Sequence, residues 1–139
     1  MTRPAVIVDT NVVVAGLLTP HEASPVARIL NGMLAAAFPF VVSEALLAEY
    51  RTVFVRPNLR ELHGLTIAEV EAILTDIAQH AIVREPVAAP PAPDPGDQLL
   101  WGLLAARTNL QLVTNDKLLL QAAGMHERVM TPQAFVSGK

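Results

Sequence analysis

Short runs with almost no polar residue, separated by stretches of helical spacing, constrain this chain more than any other feature. The runs are residues 5–8 (AVIV), 38–42 (FPFVV), 81–83 (AIV), 110–113 (LQLV) and 128–130 (RVM). A strand with one wet face alternates apolar and polar residues. These do not, so both of their faces are covered. Between them, apolar residues return every three or four positions, the period of a helix packed on one side. This alternation predicts an α/β fold with a parallel sheet between two helical layers. It is a three-layer α/β/α sandwich with a short parallel sheet, Rossmann-like in type. In such sheets ligands are met beyond the carboxyl ends of the strands.

Local signals mark the helix boundaries. Ser24 and Pro25 read as N-cap and first helical residue, ahead of Val26, Ile29, Leu30, Met33 and Leu34. Ser43 caps a helix over 44–55 that Pro57 is expected to stop. Thr66 and Glu69 form a capping box before the stripe Ile67, Val70, Ile73, Leu74 and Ile77. Helices are also expected over 98–108 and 117–123, the second closed by Gly124. Residues 86–95 hold five of the eleven prolines, which makes them a loop. No repeat or break in composition divides the chain, so residues 1–139 read as one domain.

Composition narrows the function classes. Hydrophobic residues make up 52% of the chain, which excludes general disorder. No apolar run approaches the ~18 residues of a membrane span, and the first residues do not form a secretory signal. There is no cysteine, hence no disulfide or thiolate zinc site, and a cytoplasmic location is expected. The net charge is −3. That mild acidity argues against a general nucleic-acid binder until the position of the acids is considered.

Two strands end alike. Residues 5–8 run into Asp9, Thr10 and Asn11, and residues 112–113 run into Thr114, Asn115 and Asp116. A carboxylate at the end of a buried strand is costly unless something pairs with it. Glu49 shares a helical stripe with Leu46 and Val53. Glu44 lies about 140° away, in the first turn, where its charge suits the helix dipole. Asp97 shares a face with Leu100, Trp101 and Leu104, whereas Asp94, followed by Pro95, reads as an N-cap. Each acid also has a structural reading. Asp9 and Asp116 could cap the helices that follow them, Asp97 could be a capping-box acid, and Glu49 could reach the surface. Brought together, four carboxylates repel strongly and call for a hard divalent cation, Mg²⁺ or Mn²⁺, which takes oxygen ligands. Thr10, Asn11, Thr114 and Asn115 add neutral oxygens and donors. The chain has no nucleophile elbow, phosphate-binding P-loop or dinucleotide fingerprint. His21, His63, His80 and His126 are scattered without metal-ligand spacing.

At these residues the sequence resembles the PIN-domain ribonucleases. "VIVDTNVVVAGLL" is similar to the family's first motif. "VSEALLAEYRTVFVRPNL", residues 42–59, resembles the second, a helical Glu followed by an apolar-Arg-Pro stretch. "DPGDQLLWGLLAA" and "LVTNDKLLL" resemble the third and fourth. The four occur in family order between residue 6 and about residue 120. The resemblance implies a PIN-like sandwich that cleaves RNA phosphodiesters with Mg²⁺ or Mn²⁺. It implies Asp9, Glu49, Asp97 and Asp116 as the acidic quartet, with Asn11 and Thr114 in support. The third motif often carries adjacent acids. Here Gly96 and Gln98 flank Asp97, which leaves Asp94 as a further supporting candidate.

Many small members of the family are toxins of type II toxin–antitoxin pairs, held by a cognate antitoxin and often dimeric. A homodimer is expected here too, because the helices near residues 25–36 and 66–81 carry wide apolar stripes. With the four site acids set aside, nine Asp and Glu face ten Lys and Arg, so an RNA-binding rim is compatible with the acidic balance. Arg56 lies seven residues after Glu49, on nearly the same face and roughly 10 Å along the helix, as a phosphate contact. Arg51, Arg60 and Lys117 are lesser candidates. Two alternatives stand beside the nuclease. One is a non-catalytic PIN-fold binding module that retains a structural metal ion. The other is a phosphohydrolase working through an aspartyl-phosphate, for which Asp9-Thr10-Asn11 lacks a second nearby Asp.

Overall fold

The computed structural model describes residues 4–122 and 128–138. The strands are β1 (Val6–Val8), β2 (Val41–Val42), β3 (Ile82–Val83), β4 (Gln111–Val113) and β5 (Val129–Met130). All the pairings are parallel. Val6, Ile7 and Val8 sit opposite Gln111, Leu112 and Val113, and Leu112 and Val113 sit opposite Val129 and Met130. Val41 and Val42 pair with Ile82 and Val83. A single parallel bridge from Val6 to Phe40 lays the two groups side by side, giving the order β3-β2-β1-β4-β5. The strands are as apolar as the sequence requires of a sheet covered on both faces. Val6, Ile7, Val42, Leu112 and Val113 have no solvent exposure.

The order changes direction between β1 and β4, and right-handed crossovers therefore send the connecting helices to opposite faces. On one face lie α1 (Thr10–Leu18), α2 (Pro25–Leu34), α3 (Glu44–Phe54), α4 (Pro57–His63) and α5 (Ile67–His80). Here α1 packs on α2 and α3, and α5 packs on both α2 and α3. On the other face α6 (Gln98–Ala105) lies against β1 and β4, followed by α7 (Lys117–Leu120). The last helix, α8 (Pro132–Ser137), returns to pack on α2. Trp101, Tyr50, Phe40 and Phe54 are the largest of the fully buried side chains.

Ser24 and Ser43 cap their helices as the sequence predicts, and Thr66 and Glu69 make the full capping box. Several boundaries differ. Pro57 does end one helix, but it also opens another as its first residue. Gly64 then closes α4 in the left-handed conformation, φ 71°. The helix expected over 98–108 ends at Ala105, and the Arg128 guanidinium takes the carbonyls of Leu104, Arg107 and Leu110 beyond and at its end. Helix α7 stops at Leu120, short of the expected 123. Gly124 and His126 lie outside the described residues. Helix α8 was not anticipated, although Thr131 and Pro132 supply a cap and a first residue.

The apolar stripes that suggested a dimer are largely covered within the chain. Ile29, Leu30 and Met33 of α2 and Val70, Leu74 and Ile77 of α5 are buried, while Ile67 remains half exposed.

Candidate active site

The sheet reverses its order between β1 and β4, which places a crevice at the carboxyl ends of those two strands. Asp9 follows β1 and is 7% exposed. Its N–H donates to the Val113 carbonyl at 2.9 Å, continuing the ladder and fixing its place beside β4. By position Asp9 is the N-cap of α1, yet its side chain makes no capping bond. The carboxylate instead accepts a hydrogen bond from the Thr114 hydroxyl at 2.7 Å. Thr114 has no solvent exposure, and its oxygen accepts from the Asp116 N–H at 3.0 Å. One hydroxyl thus links the loops that leave both strands. The Asn115 N–H donates to Asn11 Oδ1 at 3.3 Å and ties them a second time.

Asp116 fulfils its structural reading as well. Its carboxylate accepts from the Leu118 N–H at 2.9 Å and caps α7.

Glu49 reaches the crevice from α3. The stripe of α3 that is buried consists of Leu46, Tyr50 and Phe54, one residue displaced from the expected Leu46, Glu49 and Val53. Glu49 and Val53 are therefore half-buried at its edge, and the carboxylate is aimed at the cleft rather than the core. Tyr50, which sequence reasoning passed over, sets this geometry. Its hydroxyl, fully buried, donates to the Val8 carbonyl at 2.5 Å and pins α3 to the end of β1. The signal was the spacing of Leu46, Tyr50 and Phe54 at four-residue steps. Next to Tyr50, the Glu49 carboxylate accepts from the Thr10 hydroxyl.

Asp9, Thr10, Asn11 and Glu49 line an open cleft of about 580 Å³ between α1 and α3. Val14, Leu18 and Val53 form its apolar wall, and Arg56 stands on its rim. Asp97 ends the 3₁₀ turn Pro95–Asp97 and is half-buried. Asp94 is exposed and accepts from the Gly96 N–H at 2.8 Å, as an N-cap does. Glu44 lies in a separate groove between α3 and α5. Arg51, a lesser candidate for a phosphate contact, lines that groove too and pairs with Glu71 at 2.6 Å. Lys117 is exposed next to Asp116. Arg60 is exposed on α4.

The acids act on one another. Burial raises the Asp9 carboxyl above its ordinary value and Glu49 adds repulsion, while the Thr114 hydroxyl and the amides of Thr10 and Asn11 act the other way. Asp97 is pushed up to about 6, first by burial and then by the charges of Asp9, Asp116, Asp94 and Glu49. Burial and the charges of Asp9 and Glu49 likewise hold the Tyr50 hydroxyl in its protonated, donating form. The donors are all oxygens, the set that suits a hard divalent cation. Among the described residues, no three His, Cys, Asp or Glu side chains stand together as ligands to one ion. The fit is thus one of donor chemistry and charge, with the carboxylates near one another but not closed on a common point.

A family model described as PIN domain matches residues 5–118 and takes in Asp9, Glu49, Asp97 and Asp116. The chain belongs to the PIN-domain family. PIN domains are generally nucleases and typically use divalent metal ions. A search of curated proteins gives no match to this PIN domain. No helix among its described residues is long and apolar enough to cross a membrane.

Proposed function

We propose that this PIN domain is a metal-dependent endoribonuclease and the toxin component of a toxin–antitoxin pair. The observation that carries the nuclease reading is electrostatic. Asp9, Glu49 and Asp116, which come from three separate parts of the chain, all bear on Asp97. A fold gains nothing in stability from such a gathering, and anion chemistry with a cation gives it a use.

Asp9, Glu49, Asp97 and Asp116 would hold Mg²⁺ or Mn²⁺. When bound, the ion neutralises phosphate charge and makes water a better nucleophile. The chain supplies the rest. Thr114 orients the Asp9 carboxylate, and Thr10 orients that of Glu49. Arg56, which lies in the turn between α3 and α4 and not on the helix of Glu49, offers a guanidinium to the RNA backbone from the rim of the same cleft. Asn11 and Asn115 brace the loop edge over which the strand passes. Lys117 is a further backbone contact. A cognate antitoxin and a second copy of the chain are the protein partners of this reading.

The alternative is a non-catalytic binding module that keeps a structural ion. A single assay separates the two. Labelled single-stranded RNA is incubated with the protein in Mg²⁺ or Mn²⁺ and in excess EDTA, with Asp9→Asn as control. Metal-dependent cleavage that Asp9→Asn abolishes supports the nuclease. Cleavage that persists in EDTA refutes it. Mn²⁺ binding without any cleavage assigns the binding module. Growth arrest on expression, relieved by Asp9→Asn, tests the toxin role.

A further inference from the structure

We infer that Gln98 is a positioning residue that sets where Asp97 stands, by clamping the proline-rich segment 86–93 to the start of α6. This rests on the nuclease reading and adds to it a residue outside the acidic set.

Residues 86–96 lead into Asp97 with almost no regular structure, and their prolines lack N–H groups to anchor them. Two attachments hold the segment. Gln98 Oε1 accepts from the Ala92 N–H at 2.8 Å, while Gln98 Nε2 donates to the Pro90 carbonyl at 3.1 Å. The primary amide thus uses both of its ends on backbone groups two residues apart. Further along, the Val87 N–H donates to the Gly102 carbonyl at 3.0 Å. A Cβ on Gly102 would meet Pro86 Cβ and the Val87 carbonyl at 2.9 Å, so the segment lies directly on the helix there.

These attachments leave residues 93–97 as a short span. The Asp97 N–H returns to the Asp94 carbonyl at 2.9 Å, and Asp94 caps Gly96. Asp97 is next to Gln98 in sequence, so the clamp sets the path by which the chain enters the acid. A carboxylate at that position could accept from Ala92 but could not donate to Pro90. That gives a physical reason for an amide beside Asp97.

Two substitutions remove the clamp from its two sides. Gln98→Met keeps the bulk and loses both bonds, and Ala92→Pro deletes one donor and leaves the helix intact. Three quantities are measured on the full chain: hydrogen exchange at the segment and α6, Mn²⁺ affinity by electron paramagnetic resonance, and kcat and KM on single-stranded RNA. For Gln98→Met, at least tenfold faster exchange at Ala92 is expected, with tenfold weaker Mn²⁺ binding. The kcat should fall about tenfold with KM within twofold. Ala92→Pro should weaken Mn²⁺ binding in the same direction, and the double variant should be no worse than Gln98→Met, because Gln98→Met already lacks the bond that Ala92→Pro deletes. Released exchange with unchanged Mn²⁺ affinity overturns the inference and makes the clamp purely structural. If Gln98→Met does not fold, Ala92→Pro decides by the same Mn²⁺ comparison. A wild-type protein that binds Mn²⁺ and cleaves nothing removes the nuclease reading, and the exchange and affinity results still judge the clamp.

Discussion

Replacing Asp97 by Asn should stabilise the protein when no divalent cation is present. Asp97 holds its proton up to about pH 6 in the fold, against an ordinary 3.8. Fully shielded from water, that difference would be worth about 3 kcal/mol. The side chain is only half-buried, and solvent screening reduces the figure to about 1 kcal/mol. The sign follows from linkage. A carboxyl that binds its proton more tightly in the folded chain than in the unfolded one subtracts stability wherever it must ionise. The loss is absent below about pH 4, develops between about 4 and 6, and is constant above. Urea melts in EDTA at pH 7.5 should therefore place the Asp97→Asn midpoint about 0.5 M higher, taking a slope of about 2 kcal/mol per molar. At pH 4 the two midpoints should converge. Added Mn²⁺ should reverse the ranking, since the wild type gains from binding and the variant much less. An Asn variant that is less stable at pH 7.5, or a gap that widens towards pH 4, refutes the claim that Asp97 is a charge the fold resists.

Three further outcomes are expected. Asp94→Ala removes the cap on Gly96 and should cost about 1 kcal/mol in urea melts while leaving metal-dependent cleavage nearly intact. Tyr50→Phe leaves the buried Val8 carbonyl without its donor and should cost about 1–3 kcal/mol, read by the same melts. Arg56→Gln should raise KM for RNA several-fold with kcat little changed, whereas Arg51→Gln, which breaks only an exposed pair with Glu71, should alter neither constant.

The sequence is most legible where one residue type has one job. Ser24, Ser43 and Thr66 declare helix starts because a side-chain oxygen has few other uses there. The wholly apolar strands announce a sheet covered on both faces. Asp9 stands out because burial of an acid is so costly. What was not legible depends on distance through space. The pairing of Thr114 with Asp9 spans 105 positions, and no local pattern reveals it. Helical periodicity put Glu49 on the buried stripe, but the tertiary contact of Tyr50 with Val8 rotates that stripe by one residue. Pro57 carries two local meanings, stop and start, and only the observed Gly64 turn shows that both apply. Gln98 looked like an ordinary helix residue, because its partners lie in a segment without any period.

The matched region ends at residue 118, but the architecture does not. Strand β5 covers the outer side of β4, Arg128 holds the end of α6, and Phe135 meets Phe38 edge-on with ring centres 5.0 Å apart. A chain trimmed to the matched residues would leave β4 as an open sheet margin, with Leu112 and Val113 newly wetted. Such a margin is a template for another strand. The trimmed protein would precipitate or pair with itself, and an apparent loss of activity would then report a missing neighbour to β4 and leave the acids unjudged. Residues 128–138, through β5, Arg128 and Phe135, are thus part of the scaffold that carries the acids although they lie beyond the matched region.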